Sequence, residues 1–120
     1  MFKKTHSFND RLQGSSRLLQ KYPNRIPVIV EKNNNNKRKY KKNKLQTLPK
    51  NKFLVPKKLT MGQFVYVIKQ KLDLQPEEAI FLFVNNTLPK VTDRMADIYD
   101  TYKDTDGYIY ITYFNENTFG

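Results

Sequence analysis

Apolar side chains along this chain fall in two stretches, residues 8–30 and 53–114, and are nearly absent from 31–44. In the first stretch Ser7 precedes a segment in which Phe8, Leu12 and Leu19 recur near one side at helical spacing, with Leu18 and Tyr22 beside them, so a helix is expected over 8–21. Pro23 ends it, because a proline disfavours helix at Tyr22 and lacks the donor to continue. Residues 2–6 fit a short preceding helical turn. Ile26 to Val30 is β-branched apart from Pro27, whose missing N–H suits the beginning or edge of a strand, and the strand is placed at 28–32.

The second stretch opens with a short strand, Lys52-Phe53-Leu54-Val55, stopped by Pro56. Thr60-Met61-Gly62-Gln63 has the form of a capping box, and Phe64, Val65, Ile68 and Leu72 follow at helical spacing, which predicts a helix over 61–72. Ile80-Phe81-Leu82-Phe83-Val84 is a continuous apolar run closed by Asn85-Asn86, the pattern of a strand in a sheet interior. Met95, Ile98, Tyr99 and Tyr102 mark a helix near 93–102, and Thr105-Asp106-Gly107 turns the chain into a last strand over 108–114. The order is helix, β, β, α, β, α, β.

A length of 120 residues suits one domain with a real core. The absence of cysteine removes disulfides, thiolate metal sites and cysteine nucleophiles, and is compatible with a reducing compartment. The N-terminus lacks the apolar stretch of a signal peptide, and no run approaches a membrane span, so a cytoplasmic chain is expected. His6, the only histidine, sits in the terminal segment, where a mobile surface residue is expected. No Ser/His/Asp set, metal cluster or glycine-rich phosphate loop is visible, so neither an enzyme nor a cofactor is indicated. Asp104 and Asp106 flank a turn, where aspartate bonds to backbone. Charge is lopsided: residues 1–60 carry 17 Lys/Arg against 2 acids, and residues 61–120 carry 5 against 9. A basic face of this kind can meet nucleic acid, anionic lipid or acidic protein.

KYPNRIPVIVEK, KFLVP, LTMGQFVYVI, AIFLFVNNTLP and DGYIYITYFNENTFG, in this order and spacing, closely resemble the autophagy-related ubiquitin-like modifiers, the GABARAP-like family. The resemblance implies an α+β fold of the β-grasp type: a four-stranded mixed sheet with two helices packed on it, and an N-terminal helical extension. It divides the chain into a helical subdomain at 1–24 and a ubiquitin-like domain at 25–120, with a basic Asn/Lys-rich insertion at 33–51. It also implies a conjugation cycle in which the terminal Gly120 is adenylated, passed as a thioester through E1-like and E2-like enzymes and amide-linked to phosphatidylethanolamine. A cysteine protease would reverse the linkage, and the conjugate would sit on autophagosome and vesicle membranes. A glycine carboxylate has no side chain to hinder acyl transfer.

Strand two would be a sheet edge open to an extended peptide, which the family reads as aromatic, two residues, aliphatic, in cargo receptors. Residue by residue, the resemblance places Leu18, Pro27, Ile29, Lys52, Leu54 and Tyr108 around the aromatic position. It places Phe53, Val55, Pro56, Leu59, Phe64, Val67 and Ile68 around the aliphatic one, with Arg25 and Lys50 near acidic flanking residues. Without the resemblance, Ile29, Val67 and Ile68 read as core positions rather than pocket. Gly14 stands where many relatives carry an acid, which makes the surface more uniformly basic and predicts a preference for acid-rich ligands. Ile80 to Phe83 matches a segment some relatives use for helical ligands, but reads here as core strand.

Residues 37–44 carry six Lys/Arg after four asparagines, a tract too polar to offset its ordering entropy and expected to be a mobile loop. A solvated loop, attachment to anionic lipid, a nuclear-import signal and nucleic-acid contact through Tyr40 all fit it. Two alternatives to the modifier reading therefore stand beside it. One is a β-grasp binding module that is never conjugated. The other is a basic loop binding nucleic acid, a partner that is not favoured.

Overall fold

In a computed structural model, which describes residues 1–33, 47–75 and 77–115, the capping box forms as its sequence implies. Gln63 N–H donates to Thr60 Oγ1 at 3.2 Å, and Thr60 N–H donates to Gln63 Oε1 at 3.0 Å. It opens the helix Met61–Lys71, the third of four helices among the described residues, in the order α1 (Phe2–Thr5), α2 (Phe8–Lys21), β1 (Arg25–Lys32), β2 (Lys52–Pro56), α3 (Met61–Lys71), β3 (Ile80–Phe83), α4 (Met95–Tyr102) and β4 (Ile109–Asn115). The sheet order is β2-β1-β4-β3, with β1 parallel to β4 and the other two pairs antiparallel. This is the ubiquitin-like mixed sheet. The expected loop at 33–44 lies, beyond Asn33, outside the described residues, as does Gly120.

Strand alternation separates two apolar layers. Ile26, Val28 and Val30 of β1, with Ile109, Ile111 and Tyr113 of β4, enter the main core with Phe64 and Ile68 of α3 and Met95 and Ile98 of α4. Ile29 and Tyr108 face the other way and form a smaller cluster with Phe2, against which Leu18 and Tyr110 pack. Helices α1 and α2 thus cover the sheet face opposite α3 and α4.

Three expectations need correction. First, β3 is an edge strand, not an interior one. Its apolar run arises because Ile80 and Leu82 enter the core while Phe81 and Phe83 shield each other's surroundings on the open face through Phe114, at ring-centroid distances of 5.6 and 5.2 Å. Second, β1 begins at Arg25, three residues before the expected start, and includes Pro27. Third, the buried side of α2 is not the Phe8, Leu12 stripe, since Phe8 is 46% and Leu12 37% exposed. Its buried side carries Arg11, Ser15 and Leu18, also at helical spacing. The Arg11 guanidinium meets the fully buried Asp106 carboxylate at 2.7 Å, and the Ser15 hydroxyl donates to Asp106 O at 2.6 Å. Asp106 also accepts from Tyr108 N–H and the Tyr110 hydroxyl, at 2.9 and 2.6 Å, so its charge is compensated on every side.

The N-terminal segment is tied down, contrary to expectation. Phe2 N–H donates to Glu31 Oε2 at 2.7 Å, Lys3 pairs with Asp104 at 2.7 Å, and His6 stacks on Phe2 with ring centroids 4.4 Å apart.

Candidate functional site: the edge strand β2

Hydrogen-bond parity fixes what the edge of β2 offers. Val30 N–H donates to Asn51 O at 2.8 Å and Lys57 N–H to Asn24 O at 3.1 Å. In an antiparallel pair, bonded and non-bonded opposites alternate, so the Val28/Phe53 and Ile26/Val55 pairs are the bonded kind. Pro27/Leu54 and Ile29/Lys52 are the non-bonded kind. The backbone N–H and C=O of Lys52 and of Leu54 therefore point away from β1 into the free edge. There the Leu54 carbonyl is approached at 3.4 Å by Arg25 Nη1. The same parity explains how β1 tolerates Pro27: its nitrogen points toward β4, and that pairing starts only at Val28.

Side chains opposite each other across β1 and β2 share a face, which divides the expected site residues in two. Pro27, Ile29, Lys52 and Leu54 lie on the α2 face with Leu18 and Tyr108. Ile26, Val28, Phe53 and Val55 lie on the α3 face. Within the aromatic set Ile29 and Tyr108 are fully buried and Pro27 is buried, whereas Leu18, Lys52 and Leu54 are half-buried. Lys52 Nζ stands over the Tyr108 ring at 5.8 Å. Within the aliphatic set Val55, Phe64 and Ile68 belong to the core, as Ile68 could have been read from sequence. Phe53, Leu59 and Val67 are half-buried and Pro56 is exposed. The Phe53 ring meets Phe64 edge-on at 6.0 Å.

A groove of about 620 Å³ crosses the β2 edge between these faces. It brings together Leu18, Lys52 and Leu54 of one set, Phe53 of the other, and Lys50; Arg25 stands apart, exposed at the start of β1. Three further lining residues were not anticipated: Leu48 and Pro49, which enter β2, and Lys71 at the end of α3. Among the described residues that line it, Lys50, Lys52 and Lys71 give the groove three cations and no carboxylate.

Gly14 has a local physical reason. A Cβ there would stand 2.9 Å from the Tyr108 hydroxyl, so the glycine makes room for the phenol. Burial pushes the Tyr108 phenol above its usual pKa, and the nearby Asp106 charge adds to the shift. Tyr110 is pushed up by burial and by its hydrogen bond to Asp106. Burial opposes ionisation of Asp104, but the Lys3 hydrogen bond and charge, the Asp106 N–H and Arg11 outweigh it and hold the carboxyl below its usual range.

The architecture around this edge recurs in known proteins. The family described as "Autophagy protein Atg8 ubiquitin like" matches residues 10–120. Autophagy-related protein 8 of Mycosarcoma maydis is 48% identical over 119 residues, 99% of this chain and 95% of that protein. The Coccidioides immitis protein of the same name is 49% identical, over 99% of this chain and 96% of its own length. The crystal structure of Trypanosoma brucei ATG8 superposes with a TM-score of 0.86 at 37% identity, covering 96% of this chain and 93% of that one. With the family match spanning nearly the whole chain and relatives of that name 48–49% identical over 99% of it, this chain belongs to the Atg8 family of ubiquitin-like autophagy proteins.

Proposed function

We propose that this chain is a conjugated tag and docking platform rather than an enzyme: linked through Gly120 to phosphatidylethanolamine, it recruits cargo receptors bearing aromatic-x-x-aliphatic motifs to forming autophagosomes. One observation carries the docking half. Side chains three residues apart on an extended strand point to opposite faces. The outward backbone groups of Lys52 and Leu54 sit between two residue sets on opposite faces of the sheet. A peptide added to this edge would send its aromatic toward Leu18, Lys52 and Leu54, and its aliphatic toward Phe53, Leu59 and Val67.

Family membership supports the conjugation half. The E1-like and E2-like enzymes and the deconjugating cysteine protease are the partners it calls for, and the conjugate moves from cytoplasm to autophagosome and vesicle membranes. Residues 1–24 form a helical subdomain on a ubiquitin-like domain of 25–120, whose 33–51 segment contains the basic insertion. Many copies on one membrane turn modest peptide contacts into avidity for receptors with several motifs.

The test is reconstitution with the cognate enzymes, ATP and phosphatidylethanolamine liposomes, read by intact mass. The native chain should gain the lipid and Gly120→Ala should not. With enzymes shown active on another substrate, no adduct on the native chain would leave a docking module and remove Gly120 from the site.

A further inference from the structure

The aromatic side of the groove already holds an aromatic. Phe2 is 6% exposed and shares one cluster with Ile29 and Tyr108, the two deepest residues of the aromatic set, and with Leu18. Its ring meets Tyr108 edge-on at 5.3 Å, and Lys52 Nζ stands over it at 5.4 Å. Four of the six residues expected around a ligand aromatic thus contact the chain's own Phe2 or belong to, or pack against, the cluster that holds it. What stays open is the outer part of the groove, at Leu18, Lys52 and Leu54.

The helix carrying Phe2 is one turn of four residues, Phe2–Thr5, too short to persist without its side-chain anchors. Those anchors are the Phe2 N–H bond to Glu31, the Lys3–Asp104 pair and the seating of the Phe2 ring against Tyr108; the His6 stack on Phe2 is internal to the segment and would leave with it. Both side chains of the ion pair retain exposure, 50% for Lys3 and 26% for Asp104, so this anchor is weak. A buried aromatic on a single helical turn, held by one ring, one backbone hydrogen bond and one exposed ion pair, is a plug that can leave as a unit.

We infer that Phe2 is an internal competitor for the aromatic pocket: α1 closes the floor formed by Ile29 and Tyr108, and a peptide aromatic gains full depth only when α1 detaches. This rests on the docking reading above. The apparent affinity is then the open-state affinity reduced by the fraction of chains in which α1 is detached.

The experiment is calorimetric titration of the full chain with one aromatic-x-x-aliphatic peptide. It compares the native protein, Phe2→Ala, Asp104→Asn, and Leu54→Asp as a site control. Competition predicts that Phe2→Ala binds at least about fivefold tighter. Asp104→Asn, which loosens α1 and leaves the pocket residues intact, should bind at least about twofold tighter and keeps the test available if Phe2→Ala does not fold. Nuclear Overhauser contacts between Phe2 and Tyr108 should disappear from the native chain at peptide saturation. Binding unchanged or weaker in both variants, with those contacts kept and Leu54→Asp still abolishing binding, would overturn the competition and make Phe2 part of the pocket floor. No binding by native chain or either loosened variant would instead defeat the docking reading, and this inference with it.

Discussion

Replacing Gly107 with alanine would place two penalties on one methyl group. Gly107 has φ of +91°, a conformation that costs an L-residue roughly 1–2 kcal/mol. A Cβ there would also lie 2.2 Å from Ser15 Oγ and 2.9 Å from Ser15 Cβ. Rotating the Ser15 hydroxyl relieves the first contact but not the second, so α2 must move off the sheet. That movement breaks the 2.6 Å bond from Ser15 to Asp106 O and leaves buried polar groups unpaired, at about 1–3 kcal/mol. The total is about 2–5 kcal/mol, a large part of the stability of a small domain. The assay is urea unfolding of the native chain, Gly107→Ala, Ser15→Gly and the double variant. Ser15→Gly deletes both clashing atoms, so the second substitution should cost less in the Gly107→Ala background than alone, with a coupling of about 1 kcal/mol or more. Additivity within about 0.5 kcal/mol would refute the claim that this close approach seats α2.

Gly14→Ala should cost about 1–2 kcal/mol by crowding the Tyr108 hydroxyl, and Tyr108→Phe should recover part of that loss in urea unfolding; no recovery would mean the phenol is not the obstacle. The lowered pKa of Asp104 means its pairing stabilises the fold above the ordinary carboxylate value of about 4 and is lost as pH falls through the lowered value. A stability profile between pH 5 and 2 should therefore fall less for Asp104→Asn than for the native chain, and parallel curves would count against the α1 anchor. With Lys50, Lys52 and Lys71 around the groove, a peptide with two acids before its aromatic should bind about three- to tenfold tighter than its neutral counterpart at low salt, the gap closing as salt rises. Equal affinities would remove the electrostatic reading of the groove.

Elements with internal periodicity were legible from sequence. The capping box at Thr60, the α3 stripe and the Asp106-Gly107 turn each follow from residues within one segment. What depended on partners elsewhere in the chain was not. The run at 80–84 looked two-sided because nothing in it tells that Phe114, on β4, shields Phe81 and Phe83 at an edge. Arg11 and Ser15 gave no sign of facing inward, because Asp106, their partner, lies some ninety residues away. Phe2 carried no periodic signal at all, being a single aromatic in a one-turn helix. The set around β2 was expected from family resemblance alone, while its division between the two sheet faces needed the register.

The central claim is that a peptide adds to β2 as a strand, and amide hydrogen exchange along β2 tests it most directly. Phe53 and Val55 N–H groups face β1, whereas those of Lys52 and Leu54 face the open edge. Saturation with an aromatic-x-x-aliphatic peptide should slow exchange at Lys52 and Leu54 and leave Phe53 and Val55 nearly unchanged. Protection at neither open amide, with the peptide demonstrably bound, would mean that it docks without extending the sheet, and the account of this edge would be wrong.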